Sequence, residues 1–300
     1  MRVRHGSRYR GRFRLFDITG SVYATRAHGS LSYLGSKFIR VVNTAEVFMN
    51  SIDVEAMRQV AEATAVQAGR LLVARRQAWA TAESSNEHDV KLTGDRGAEA
   101  IAAALLTRAS GIGVYSEEAG YIGGRSGEFT WVLDPLDGSA NYLRGVPLCC
   151  VSIALCRNNE PVLGVIHDFS RNETFSGLVG MGAWLNDADM RVSSISNASE
   201  ATLATGFPAA LDHDSEQLAA YINDVRSFRK VRSLGTAALM LAYVASGRMD
   251  VYREHAVRFW DVAAGMALVL AAGGKIDVTL SSAGFDAKLD LIAWNGKVPV

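Results

Sequence analysis

The residues with the clearest chemical content are Asp134 and Asp137, set around Pro135 at the end of the apolar run Thr130-Trp131-Val132-Leu133. Gly138 and Ser139 follow at once. A chain that leaves a strand and turns can aim both carboxylates, and the Leu136 carbonyl between them, at one point. Hard cations such as Mg2+ take such oxygen ligands. The Gly-Ser pair offers backbone N–H groups suited to a phosphate. Metal ligands beside an anion cradle point to metal-assisted phosphate chemistry. Three further acidic places are candidates for the same centre: Asp95, the pair Glu117-Glu118, and Asp261. Each also has a plainer reading. Asp95 and Asp261 fit helix caps, Glu117 and Glu118 fit solvated loop acids, and Asp134 to Asp137 fits an Asx-type turn. Spacing alone leaves these readings open.

The elements that must position these acids are legible in outline. Met57, Val60, Ala61, Thr64, Ala68, Leu71, Leu72 and Arg75 form one helical stripe, suited to packing on a sheet. The polar segment 81–89 breaks it. Lys91 to Asp95 leads into a second helix, with Ala98, Ile101, Ala102, Leu105 and Leu106 inward. Val114 to Glu118 reads as a short strand ending in acids, 121–128 as a Gly-rich loop, and Thr130 to Leu133 as the strand that delivers the central motif. Strand candidates follow at 149–156, 162–168 and 173–179, with Asn158-Asn159 and Pro161 marking a hairpin-like turn. Near residue 195 the chain enters a second half. There 202–207 reads as a strand, 215–225 and 236–246 as helices, and Asp261 as the start of a last helix ending at Gly273-Gly274. Strands at 275–278 and 291–294 complete the set. The mixture lacks a regular βαβ alternation, so layered sheets and helices are expected instead of a doubly wound fold.

Composition narrows the class. The chain has 300 residues, 31 basic and 31 acidic, and 49% hydrophobic residues, which reads as globular with ample core. The balanced charge gives no reason to expect nucleic acid or a membrane as the main partner. No apolar run reaches the roughly 18 residues needed to span a bilayer. Cys149, Cys150 and Cys156 lie in one apolar segment without CxxC spacing, which reads as free thiols in a buried strand of a cytoplasmic protein. Residues 1–48 differ from the rest: arginine recurs, and Asp17 is the only acid before Glu46. A disordered extension, or sequence upstream of a true start at Met49, is the favoured reading. A transit peptide and a nucleic-acid arm are the alternatives.

Two longer motifs carry a resemblance. Trp131 to Tyr142 matches W-x-(I/V/L)-D-P-(I/L)-D-G-(T/S)-x-N-(F/Y), and Trp260 to Gly265, with its following helix and Gly273-Gly274, matches W-D-x-A-A-G … A-G-G. Together with Glu117-Glu118, these make the chain similar to the inositol monophosphatase superfamily of Mg2+-dependent phosphatases, from about residue 50 to 297. Weaker echoes stand at 182–186, 205–208 and 234–238. The resemblance implies an α+β fold, a layered α-β-α-β-α sandwich like fructose-1,6-bisphosphatase, over 49–300 with coupled halves at about 49–195 and 196–300. It implies a homodimer and two or three Mg2+ ions. Glu117, Asp134 and the Leu136 carbonyl would hold the first ion, and Asp134, Asp137 and Asp261 the second. Asp95 would help hold a third. Gly138 and Ser139 would bind phosphate, Ser139 and Glu117 would orient the attacking water, and Glu254 would hold substrate hydroxyls. The implied reaction is hydrolysis of a small polyol or sugar phosphate, inositol monophosphate first, by metal-activated water without a phosphoenzyme. Bisphosphorylated sugars, nucleotide 3'-phosphates and histidinol phosphate are alternatives within the superfamily.

Some positions depart from the pattern. Lys91-Leu92-Thr93-Gly94 replaces the frequent V-T-x-x before Asp95, and Ala140 replaces a frequent threonine. Arg144 and the segment 253–258 are expected to border the substrate cleft, where their arginines either select a second anionic group or are plain surface charges. His167 lies in an expected strand and reads as structural. Two rival classes weaken on spacing. An aspartyl-phosphate phosphatase needs D-x-D, but two residues separate Asp134 from Asp137. A Ca2+-binding loop needs D-x-D-x-D-G, which is absent. A non-catalytic regulator that kept the fold should have lost a ligand, and none is missing.

Overall fold

A computed structural model describes residues 52–85, 90–124, 127–206, 215–282 and 284–300. The expectation for residues 1–48 lies outside them, as does the Phe207-Pro208 end of one weak motif. Helix α1 (Val54–Trp79) opens at Asp53, whose carboxylate accepts the Ala56 N–H at 3.0 Å, a standard N-cap. It buries Ala61, Thr64, Ala65, Ala68, Gly69 and Leu72; Arg75, placed on the inward stripe by spacing, is exposed. The short strands β1 (Ala82–Ser85) and β2 (Val90–Leu92) pair before α2 (Thr93–Ser110), which ends at Gly111 in the left-handed conformation.

The first large sheet contains β3 (Val114–Ser116), β4 (Gly120–Ile122), β5 (Phe129–Asp137), β6 (Cys150–Arg157), β7 (Glu160–Asp168), β8 (Glu173–Leu178), β9 (Gly182–Leu185) and β10 (Ala188–Asp189), in the order β10-β9-β8-β7-β6-β5-β3-β4. Only the β3–β5 pair is parallel. Both faces are covered, which explains the unbroken apolar runs. In β6, Val151, Ile153 and Leu155 enter the core under α1 and α2, while Cys150, Ala154 and Cys156 enter the opposite core. All three cysteines are buried free thiols. Two-residue turns at Asn158-Asn159 (φ 49° and 70°) and Asn186-Asp187 (φ 47° and 68°) close the β6–β7 and β9–β10 hairpins, the geometry that best matches strand twist.

Helix α3 (Ser139–Arg144) follows β5 directly. Helices α5 (Ala237–Ala245) and α6 (Phe259–Ala271) fill the middle layer. Because α6 is enclosed, it is apolar on all sides after Asp261; among the described residues no helix is long and apolar enough to cross a membrane. Beyond it lies a second sheet of β11 (Thr202–Ala204), β12 (Lys230–Arg232), β13 (Val251–Arg258), β14 (Lys275–Leu280) and β15 (Lys288–Trp294), ordered β12-β11-β13-β15-β14. Helix α4 (Ser215–Ser227) is tied to its outer side by the Arg253–Asp224 ion pair. The result is the expected α-β-α-β-α layering.

Several elements differ from the sequence reading. Strand β4 occupies the start of the expected Gly-rich loop, and β12 was not expected; each has only three residues, too few to show periodicity. Strand β13 carries Arg253-Glu254-His255 in its middle, and its pairing with β15 is interrupted between Glu254 and Val257. That polar bulge hides the strand from any apolar alternation. Helix α6 starts at Phe259, with Arg258 as its N-cap residue, so Asp261 lies inside the first turn and is not the cap.

Candidate active site

The central motif is the end of β5. Asp134 pairs with Ser152, the register then shifts, and Asp137 pairs with Cys150. This bulge turns the chain around Pro135. Asp134 is 2% exposed and its Oδ1 accepts the Leu136 N–H at 3.0 Å. The Asx-turn reading is therefore correct, and it is compatible with ligation because a carboxylate has about four acceptor sites. Glu117 follows β3, and its N–H donates to the Leu133 carbonyl at 3.2 Å, which sets it beside Asp134. Asp261 enters from the first turn of α6. Glu117, Asp134 and Asp261 each present a carboxylate oxygen within 4.8 Å of the other two.

Burial, then the charges of Glu117 and Asp137, push the carboxyls of Asp134 and Asp261 well above the usual range, each also raising the difficulty through its acidic neighbours. Buried like charges of this kind either take up protons or hold a cation. The donors are all hard oxygens, which suits Mg2+, Mn2+ or Ca2+ and not a thiophilic metal. On this chemistry the residues fit a divalent cation.

Asp137 is not part of the close trio. Its Oδ2 accepts the Thr236 hydroxyl at 2.6 Å and the Ala238 N–H at 2.7 Å, so the start of α5 holds it. Burial raises its pKa to about 6, against the lowering effect of those two hydrogen bonds. Asp95 lies in the first turn of α2 and is buried. One oxygen accepts the Leu92 N–H, as a capping role requires, and the other lies 3.1 Å from the Ser139 hydroxyl. That hydroxyl is also 2.9 Å from the Leu136 carbonyl. Asp95, Ser139 and Leu136 thus form one linked group beside the trio. Gly138 has φ 91°, and a Cβ there would stand 2.7 Å from the Leu148 carbonyl oxygen, so the turn into α3 requires glycine. Glu118 is partly exposed and outside the trio.

Glu254 projects from β13 and accepts the Tyr252 hydroxyl at 2.8 Å. Burial raises its pKa, and its charge reaches Asp137 and Asp261. A Cβ on Gly206 would lie 2.1 Å from Glu254 Oε1, so a side chain there would displace that carboxylate from its place. Sequence reasoning missed Tyr252 and the roles of Thr236 and Gly206, although 234–238 and 205–208 stood out as weak motifs. Of the arginines expected at the cleft, Arg253 pairs with Asp224, Arg258 stacks on Trp260 at 5.3 Å, and Arg144 is exposed. His167 is buried, bonds Thr174 Oγ1 at 2.9 Å through Nδ1 and packs against Gly69, a structural setting. Burial pushes the Cys149 thiol up to about 12, which suppresses the thiolate a nucleophile needs.

Comparison with known proteins places the chain as a whole. Residues 53–295 match the model of the inositol monophosphatase family. The chain is 44% identical over 184 residues to the "Nus factor SuhB" of Xylella fastidiosa, covering 61% of this chain and 66% of that protein, just under two thirds of its length. It is 41% identical over 184 residues to an "Inositol-1-monophosphatase" of Mesorhizobium japonicum, covering 61% and 69%. A longer match, 33% over 249 residues, joins it to the "Nus factor SuhB" of Escherichia coli K12, with 81% and 92% covered. Among solved structures, the extragenic suppressor protein suhB of Bartonella henselae superimposes with TM-score 0.72 at 36% identity, covering 80% and 94%. The inositol monophosphatase of Anabaena does so with TM-score 0.67 at 32% identity, covering 82% and 93%. With three carboxylates gathered at the ends of β3 and β5 and the start of α6, and the family match running across both sheets, the chain belongs to the inositol monophosphatase family.

Proposed function

We propose that this protein is a Mg2+-dependent phosphomonoester hydrolase acting on a small polyol or sugar phosphate, with inositol monophosphate as the first candidate. The observation that carries the reading is the Glu117–Asp134–Asp261 carboxylate cluster within 4.8 Å. Glu117, Asp134 and the Leu136 carbonyl would hold one cation, Asp134, Asp137 and Asp261 a second, and Asp95 would assist a third. Bound divalent cations would neutralise the phosphate, acidify water and stabilise the departing oxygen. A phosphate monoester carries about two negative charges near neutral pH, which otherwise repel a nucleophile.

The chain's own groups then divide the work. Backbone N–H groups of Gly138 and Ser139 receive the phosphate. Asp95 fixes the Ser139 hydroxyl, and that hydroxyl with Glu117 orients the attacking water in line. Glu254, held by Tyr252, accepts hydroxyl groups of the polyol. No side-chain nucleophile takes part, in keeping with the protonated thiols and structural histidine. A cytoplasmic homodimer is the setting that the resemblance implies. A second reading, service as a Nus factor, rests on the names of relatives such as the Xylella and Escherichia proteins, and it is compatible with the first.

The test is phosphate release from inositol 1-phosphate, fructose 1,6-bisphosphate, adenosine 3',5'-bisphosphate and histidinol phosphate, with Mg2+ and with EDTA. Mg2+-dependent turnover of one compound supports the reading and assigns its substrate class. Silence across the panel from folded, cation-binding protein favours the second reading.

A further inference from the structure

The first sheet buries a polar side chain beside the carboxylate cluster. Ser152 is the third residue of β6, is 1% exposed, and its hydroxyl has no hydrogen-bond partner among the described residues. A buried hydroxyl left unpaired is costly, and such groups in folded proteins are nearly always satisfied. An alanine would fill the same place without that cost.

Register shows what the hydroxyl can serve. Ser152 is the cross-strand partner of Asp134 on one side and of Ile166 on the other. Directly opposed residues of antiparallel strands share a face, with Cβ atoms about 4.5–5.5 Å apart. A turn about the single side-chain torsion of serine therefore suffices to bring Oγ–H toward the Asp134 carboxylate. The neighbouring pair works by a similar logic. Cys150, the partner of Asp137, lies 3.9 Å from the Thr236 hydroxyl, which donates to Asp137. Each acid of the central motif thus has a β6 side chain on its own face, and only the one beside Asp134 lacks a partner.

We infer that Ser152 is a positioning residue for Asp134, donating its hydroxyl to that carboxylate when the carboxylate holds a divalent cation. This rests on the reading of Asp134 as a cation ligand. Donors behind a ligand fix its orientation, and their loss typically weakens metal binding by roughly 10- to 100-fold.

The experiment is Mn2+ titration by calorimetry of the wild-type chain, Ser152→Ala and Ser152→Thr, with thermal unfolding of each metal-free protein. Ser152→Ala should bind Mn2+ roughly 10-fold more weakly, and Ser152→Thr, which keeps the hydroxyl, should bind within roughly two-fold of wild type. If the hydroxyl is a plain packing defect, Ser152→Ala binds Mn2+ as wild type does and melts higher, and the inference is overturned. Ser152→Cys fills the site with a slightly larger group, loses the strong donor and should repeat the weakened binding even if Ser152→Ala does not fold. A wild-type chain that binds no Mn2+ overturns the metal reading itself, whereas equal binding by wild type and Ser152→Ala overturns only the role of Ser152.

Discussion

Metal-free protein should lose stability as the pH rises from about 4 to 7. The cause is the carboxylate cluster. Burial lifts Asp137 from 3.8 to about 6 and places Asp134 and Asp261 well above the usual range. A group with a raised folded-state pKa binds more protons folded than unfolded between the two values. Its contribution is full below the unfolded pKa and is lost as the pH rises through the folded one. At 1.36 kcal/mol per pKa unit, Asp137 alone accounts for about 3 kcal/mol, or roughly 2 kcal/mol after allowance for its partly exposed side. A domain of this size shifts its Tm by about 2–4 °C per kcal/mol, so Asp137 contributes roughly 4–8 °C. Asp134 and Asp261 act in the same direction. His167, whose pKa burial lowers, opposes them, and only up to about pH 6.5. The assay is scanning calorimetry from pH 4 to 7.5 in EDTA and again in millimolar Mg2+. The expected Tm in EDTA falls across this range, and Mg2+ restores it at the upper end, by about 2.7 kcal/mol when the cation stands at 100 times its Kd. A Tm in EDTA that is flat or rising from pH 5 to 7.5, unaffected by Mg2+, refutes the reasoning.

Three other predictions follow from named contacts. Asp134→Asn and Asp261→Asn should each lower Mg2+-dependent turnover by roughly 100-fold or more while circular dichroism stays native; near-normal turnover in either would remove that residue from the metal set. Thr236→Val deletes both the α5 cap and the donor to Asp137, so urea unfolding should show a loss of about 2–4 kcal/mol, with Thr236→Ser restoring most of it. Gly206→Ala drives a methyl group into Glu254, and steady-state kinetics on inositol 1-phosphate should show a raised KM with Mn2+ affinity unchanged; an unchanged KM would count against Glu254 as the hydroxyl acceptor.

Much of the site was legible because its parts are local. Asp134, Asp137, Gly138 and Ser139 fall within six consecutive residues, and a strand that runs into a glycine turn can point only a few ways. Asp261 was legible by resemblance, but the helix starts two residues earlier than expected, at Phe259, because Arg258 and not an acid is its N-cap residue. The β5 and β6 runs were read as strands since burial on both faces leaves them uniformly apolar. What stayed hidden depends on contacts between distant segments. Thr236 meets Asp137 from 99 residues away, and Tyr252 is silent until β13 is known to be a strand. Ser152 resembles any other serine until the register sets it opposite Asp134. Local periodicity carries no record of such pairings.

The most direct test is a crystal of the chain soaked in Mn2+, with anomalous scattering recorded. A strong peak is expected in contact with Glu117, Asp134 and Asp261, and its loss in Asp134→Asn. A saturating soak that leaves those three carboxylates without a peak would contradict it.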